Sequence, residues 1–223
     1  MLVTALGAAR ADVGASLALL SDYRLRGVSL SDGQPSAQGR LDWQDDRGLF
    51  AGLQLSLVRT GENSELGVSP QGVAGYSHAF AGSWTWSAGL TGYAFPSSSG
   101  GPGNYTELFA RAGNDSVQAG VFVSNDYFGS GARSLYTELS GTRQLNDSAV
   151  LGVHLGWLIT SGAGGTYAAY DSVHRVDGRI GLIFDLRAVT AEVGLAGVLT
   201  QGSTCRSYEH CRPAPVAILR KAF

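Results

Sequence analysis

The sequence predicts an all-β fold: a closed antiparallel up-and-down transmembrane β-barrel of about twelve strands, with short periplasmic turns at one rim and longer extracellular loops at the other. Three observations predict it. Apolar residues recur with period two along most of the chain. The segments so marked number twelve, an even count, joined alternately by short and long connections. The composition is inverted for a soluble sheet, with 44 % hydrophobic residues, 15 % charged ones and a single lysine, Lys221. A soluble sandwich hides its apolar face and stays in solution through lysines and glutamates on the other. A sheet in hydrocarbon must turn its apolar face outward and close on itself, because no water is present to pair an open edge.

The first strand, 13–26, alternates Leu17, Leu19, Tyr23 and Leu25 with Asp22, Arg24 and Arg26, and the second, 35–44, puts Gln38, Arg40 and Asp42 on one face. In the third, 48–58, Leu49, Ala51, Leu53, Leu55 and Leu57 oppose Gly52, Gln54 and Ser56. Strands at 66–79, 84–95 and 104–113 follow. The seventh, 116–127, sets Val117, Ala119, Val121 and Val123 against Gln118, Gly120 and Ser124, with Asp126 in the same phase. The eighth, 134–144, carries Glu138, and in the ninth, 148–160, Leu151, Val153, Leu155, Trp157 and Ile159 oppose Gly152, His154 and Gly156. The tenth, 173–185, opposes Val176, Ile180, Leu182 and Phe184 to Arg175, Asp177 and Arg179. The eleventh, 187–200, opposes Val189, Ala191, Val193 and Leu195 to Thr190, Glu192 and Gly194, and 214–223 closes the series. Tight turns are expected at Asp45-Asp46-Arg47, Ala81-Gly82-Ser83, Asn114-Asp115-Ser116, Asn146-Asp147 and Asp185-Leu186-Arg187. Strands of roughly ten residues have the length that a tilted crossing needs. Trp43, Trp84, Trp86, Tyr93, Phe95, Tyr127, Phe128, Tyr136 and Trp157, near strand ends, are candidates for interfacial girdles, or express the general β preference of aromatic residues.

Composition excludes several function classes. The 32 glycines in 223 residues are roughly twice ordinary usage but follow no triplet period, so the chain is not collagen-like. A net charge of −2 at 44 % hydrophobic content is not the signature of disorder, and it leaves no electrostatic footprint for nucleic acid. No GxSxG, HExxH or P-loop motif occurs, and His78, His154, His174 and His210 have no evident Ser and Asp partners in sequence, so no enzyme is expected.

Residues 1–11, MLVTALGAARA, run from apolar to small residues and end in an A-x-A pattern. They read as the tail of a secretory signal, leaving 12–223 as a single barrel domain; the other reading is ordinary chain. Cys205 and Cys211, in GSTCRSYEHCRP, suit a small disulfide-closed loop in an oxidising compartment. With His210 they are too few for a closed zinc site, and no metal or cofactor is expected. The last strand ends in Phe223, which resembles the C-terminal signal that the outer-membrane assembly machinery reads in bacterial barrels.

The stretch SDYRLRGVSLSDGQPSAQGRLDW, 21–43, is similar to the opening of the TorF family of porins, whose members carry a SDYxxRGxSxSD-like motif. Ser21, Asp22, Tyr23, Arg26, Gly27, Ser29, Ser31 and Asp32 match it as they stand. A basic residue two before a terminal Phe, here Lys221, is also familiar from that group. The resemblance is specific over about 25 residues and architectural beyond them. It implies a barrel of the bacterial outer membrane with no settled substrate.

Asp22, Arg24 and Arg26, with Arg40 and Asp42 on the next strand, are expected on the inner wall, extended by Asp126, Glu138, Arg175, Asp177, Arg179 and Glu192. Fixed charges of both signs there line a pore for passive diffusion of small hydrophilic solutes or ions. Alternatively they form an internal salt-bridge ladder in a non-conducting structural or binding barrel that acts through its extracellular loops. The partners expected are outer-membrane lipid and lipopolysaccharide, the assembly machinery and small polar solutes.

Overall fold

The computed structural model describes residues 12–60, 65–96, 103–162, 173–200 and 211–223. The expectations for residues 1–11 and for Cys205 and His210 lie outside them; Cys211 is described and buried. In chain order the strands are β1 Asp12–Leu20, β2 Arg24–Leu25, β3 Val28–Ser29, β4 Ser36–Gln44, β5 Leu49–Thr60, β6 Glu65–Ala81 and β7 Trp84–Tyr93. They continue with β8 Tyr105–Gly113, β9 Val117–Ser124, β10 Arg133–Asn146, β11 Ala149–Ser161, β12 His174–Asp185, β13 Thr190–Val198 and β14 Ala214–Ala222. All but β2 and β3 form one antiparallel meander, closed where β1 pairs with β14 (Leu19 opposite Leu219). The barrel is the twelve-stranded one that the alternation predicts.

The tight turns are built from the short polar side chains that mark them. Asn114 Oδ1 accepts from the N–H groups of Ser116 and Val117, Asn146 Oδ1 from Ser148, and Asp185 Oδ1 from Arg187. Asp45 takes the N–H groups of Arg47 and Leu49 and the Arg47 guanidinium. Desolvation opposes ionisation of Asp45, but these bonds outweigh it and hold the carboxyl below its usual range.

Register settles which face is which. Leu17, Leu19, Leu41, Leu53, Leu55, Leu108, Leu139, Val153, Leu155, Trp157, Ile180, Leu195 and Leu219 are all exposed, forming the apolar outer wall. Trp43, Tyr76, Phe80, Trp84 and Trp86 are exposed on the half of the wall that ends in the short turns, where an interfacial girdle belongs. Tyr93, Tyr127 and Tyr136 point the other way. They are buried with Tyr105, Phe109, Phe122, Leu158 and Val173 in a cluster inside the barrel, against which Phe95 and Phe128 pack. The girdle expectation therefore fails for these five residues: Tyr93 and Tyr136 have the inward parity of their strands, and Phe95, Tyr127 and Phe128 lie beyond strand ends, where the chain folds back onto the cluster.

The largest departure from expectation lies in 21–35. The first strand stops at Leu20 instead of running to 26. Ser21 completes the ladder with Ala217, its N–H donating to the carbonyl at 2.9 Å and its Oγ accepting the Ala217 N–H at 2.8 Å. The chain then turns into the lumen as a small hairpin, β2 against β3. Its tip, Arg26-Gly27, has positive φ at both residues (50° and 79°), the two-residue geometry that matches strand twist. A second such pair, Asp32-Gly33 (58° and 66°), turns the chain back toward β4, with Gln34 N–H donating to the Ser31 carbonyl. Period two persisted through 21–26 because the hairpin is itself β-structure.

Candidate functional site

The motif at 21–34 is a hydrogen-bonded unit centred on Asp22. Its Oδ1 accepts from the Ser29 and Ser31 hydroxyls (2.5 and 3.1 Å), and Oδ2 from Arg24 Nε at 2.6 Å. Ser31 Oγ in turn accepts the Tyr23 N–H, and Ser29 Oγ the Gly33 N–H. The tip crosses the lumen. Arg26 meets Glu107 on β8, whereas the Gly27 Cα lies so close to β12 and β13 that a Cβ there would sit 2.8 Å from both Asp177 Cβ and the Gly197 carbonyl carbon. Glu107 on β8 lies four strands from β12 and five from β13 around a ring of twelve, so the tip is held from two well-separated sides.

The Arg26 guanidinium makes a bidentate pair with Glu107 at 2.9 and 2.6 Å, with side-chain exposures of only 4 % and 0 %. It lies 4.0 Å from the Tyr136 ring centroid, within cation–π range of Phe122 and Tyr127 as well. Around this level the inward residues of the wall are buried: Leu20, Ser36, Ser56, Ser69, Thr91, Glu107, Phe122, Tyr136, Leu158, Asp177, Ala196 and Val216, one from each barrel strand. The hairpin and the aromatic cluster fill this section.

Toward the short turns the interior changes character. Arg40–Asp42 (2.5 Å), Arg111–Glu138 (3.1 Å) and Arg179–Glu192 (2.5 Å) are half-buried pairs on the inner wall. Glycines make room for them. A Cβ on Gly52 would strike Asp42 Oδ1 at 2.7 Å, one on Gly120 would crowd Arg111 and Glu138 at 3.1 Å, and one on Gly181 would crowd Glu192 at 3.1 Å. These three glycines serve as the floor on which the lumen side chains lie.

Of the residues expected on the inner wall, Arg40, Asp42, Glu138, Arg175, Asp177, Arg179 and Glu192 sit on barrel strands in the inward phase, Arg175 and Asp177 being buried. Asp22, Arg24 and Arg26 are in the lumen but on the hairpin rather than the wall. Asp126 is a correction: β9 ends at Ser124, and the exposed Asp126 lies in the loop beyond, accepting the Gly131 N–H at 2.7 Å. Phe223 is exposed, with its N–H on the Ala15 carbonyl and Lys221 Nζ 5.0 Å over its ring.

Sequence reasoning missed Glu107, Arg111 and Arg220, although each is in phase with recognised inward neighbours, and it missed the partners of His154. His154 Nδ1 is 2.9 Å from Ser140 Oγ, and Nε2 is 3.1 Å from Tyr136 Oη and 3.4 Å from Asp177 Oδ1. These residues come from three adjacent strands, so no linear motif can carry them. The arrangement has the members of a nucleophilic triad. However, Ser140 is paired on both sides, with His154 and Gln118, so its strand's amides are spent on the ladder and offer no oxyanion site. It ties β10, β11 and β12 together.

A closed meander with an apolar outer wall and ion pairs inside has the architecture of the outer-membrane porins, and comparison of structures bears this out at the level of fold. The chain superposes on the KdgM porin with a TM-score of 0.55 at 11 % identity, covering 94 % of this chain and 98 % of that one. The NanC porin gives 0.55 at 12 % identity over 95 % and 98 %, and the COG4313 outer membrane channel from Pseudomonas putida F1 gives 0.52 at 14 % over 98 % and 97 %. By sequence the chain belongs to the Gcw_chp family, described as bacterial protein of unknown function, whose model matches residues 4–203. No curated protein matches it in sequence.

Proposed function

We propose that the protein is a porin-like channel of the bacterial outer membrane, passing small hydrophilic solutes or ions by diffusion, with the 21–35 hairpin setting the constriction. The observation that carries this reading is the division of the interior. One half is a half-buried, ion-paired vestibule of the kind that water fills, and the other is occupied by a hairpin whose tip is held across the lumen by the Arg26–Glu107 pair. A barrel wall is rigid because every strand is paired on both sides, whereas among the described residues β2 and β3 pair only with each other. The hairpin is thus the element whose displacement would widen the passage. The TorF-type resemblance of 21–43 supports the same reading, and the motif's matching residues are those that build the hairpin. No cofactor or catalytic step enters, and the disulfide between Cys205 and Cys211 is part of the proposal.

The test is planar-bilayer recording of the refolded barrel beside a variant carrying Arg26→Ala and Glu107→Ala together. The wild type is expected to give small steps and the variant larger ones. Silence from both, with the fold verified, would overturn the channel. The second reading, a non-conducting barrel acting through its loops, would then stand; burial of one inward residue from each strand at the hairpin level favours it.

A further inference from the structure

Arg220 is the arginine of the vestibule that the ion pairs leave over. It is on β14 in the inward phase, opposite Thr190 of β13 and Ala18 of β1, and it is half-buried. Arg179 is ion-paired with Glu192 and Arg40 with Asp42, each at 2.5 Å. Arg220 has no ion pair within 4 Å among the described residues, yet Glu192, Arg179 and Arg40 all act on it electrostatically. Three guanidinium groups therefore share two carboxylates, leaving one positive charge uncompensated in a partly desolvated wall. Between Arg220 and Arg40 the inward positions of β1 are Ser16 and Ala18, small residues that bring no charge of their own to this stretch of wall. Partial burial strengthens each charge relative to bulk water, and the mutual repulsion of three cations is relieved by a bound anion rather than by another protein group.

We propose that Arg220, flanked by Arg40 and Arg179, is a binding site for the carboxylate or phosphate group of a small solute on the short-turn side of the lumen. The planar fork of a guanidinium matches two oxygens of such a group, and Arg220 is the one of the three with its fork free of a carboxylate partner. The proposal deepens the channel reading, on which its role in transport rests, by assigning the class of solute: mono- or dianionic small molecules over cations and neutral sugars.

Two measurements on the refolded full chain separate the site from the channel. The first is the rise in thermal unfolding temperature with inorganic phosphate, and separately with succinate, at constant ionic strength; it needs no conduction. The wild type is expected to rise with both ligands, Arg220→Ala to weaken the apparent affinity by about tenfold or more, as loss of a charge-assisted contact does, and Arg220→Lys to keep part of it. A response to only one of the two ligands identifies the source of the oxyanion and still supports the site. The second is the reversal potential in a KCl gradient, where wild type should favour chloride and Arg220→Ala should lose that preference. An absent ligand response in the wild type, or an undiminished one in correctly folded Arg220→Ala, overturns the site. Conduction without anion preference also counts against it. A ligand response without any conduction leaves the site in place and removes the channel.

Discussion

Removing the Glu107 carboxylate while leaving Arg26 in place is the sharpest perturbation the lumen offers. Glu107 has no exposed side-chain surface, and Arg26 has only 4 %. In Glu107→Ala the guanidinium would keep its aromatic neighbours, with Tyr136 at 4.0 Å, but would lose its one ion-pair partner among the described residues. Breaking one side of a buried pair costs about 3–5 kcal/mol, because the remaining charge is left without compensation. That cost falls on the seated hairpin more than on the barrel, since Arg26 belongs to neither wall nor ladder. At 1.4 kcal/mol per decade, the unseated population should rise by roughly two to three and a half orders of magnitude. Hydrogen exchange of peptides covering 21–35 reads this directly, because the Leu30 N–H to Tyr23 carbonyl bond and the Gln34 N–H to Ser31 carbonyl bond exist only in the folded segment. Barrel-strand peptides should stay protected. Arg26→Ala with Glu107→Ala together should exchange less than Glu107→Ala alone, since neither charge is stranded. Unchanged exchange of 21–35 in a folded Glu107→Ala barrel would refute the idea that this pair holds the hairpin.

Three further outcomes are expected. Gly27→Ala, with φ of 79° and a Cβ 2.8 Å from the β13 backbone, should unseat the tip and raise exchange of 21–35; Gly33→Ala, with φ of 66° and nothing within 4 Å, should cost only the left-handed strain of about 1–2 kcal/mol. Leu139→Arg, on the lipid-facing wall at 52 % exposure, should destabilise the barrel in vesicles by roughly 2–4 kcal/mol in urea titration, far more than a charge placed at inward Gln118. Peptide mapping without reductant should recover a Cys205–Cys211 crosslinked fragment, and recovery of both as alkylated thiols would remove the disulfide.

The wall was legible in the chain. Alternation is a local property, and lipid on one side of every strand makes it uniform, so eleven of the twelve strands lie where period two puts them, to within a few residues at each end. Leu49 to Leu57 and Val153 to Trp157 sort onto the faces that their pattern predicts. The interior was legible only in part. Arg40, Arg179 and Glu192 have the phase of a lumen residue, but their pairing depends on side-chain reach between strands, and the Ser140–His154–Asp177 link joins residues that are 14 and 23 apart in the chain. Asp126 was misplaced because periodicity has no means of seeing where a strand leaves the sheet.

The first strand shows the division most clearly. By itself the sequence determined that 12–20 is apolar on one side, that 21–26 continues the alternation, and that Arg26-Gly27 and Asp32-Gly33 are able to turn. Whether 21–35 extends a strand past the rim or folds inside was decided by tertiary structure alone, because the stabilising partners, Glu107, Tyr136 and the Gly197 backbone, come from β8, β10 and β13. A local pattern reports which face a side chain takes. Only closure of the ring creates the cavity that the hairpin fills, and with it the buried environment in which one arginine and one glutamate hold the hairpin tip.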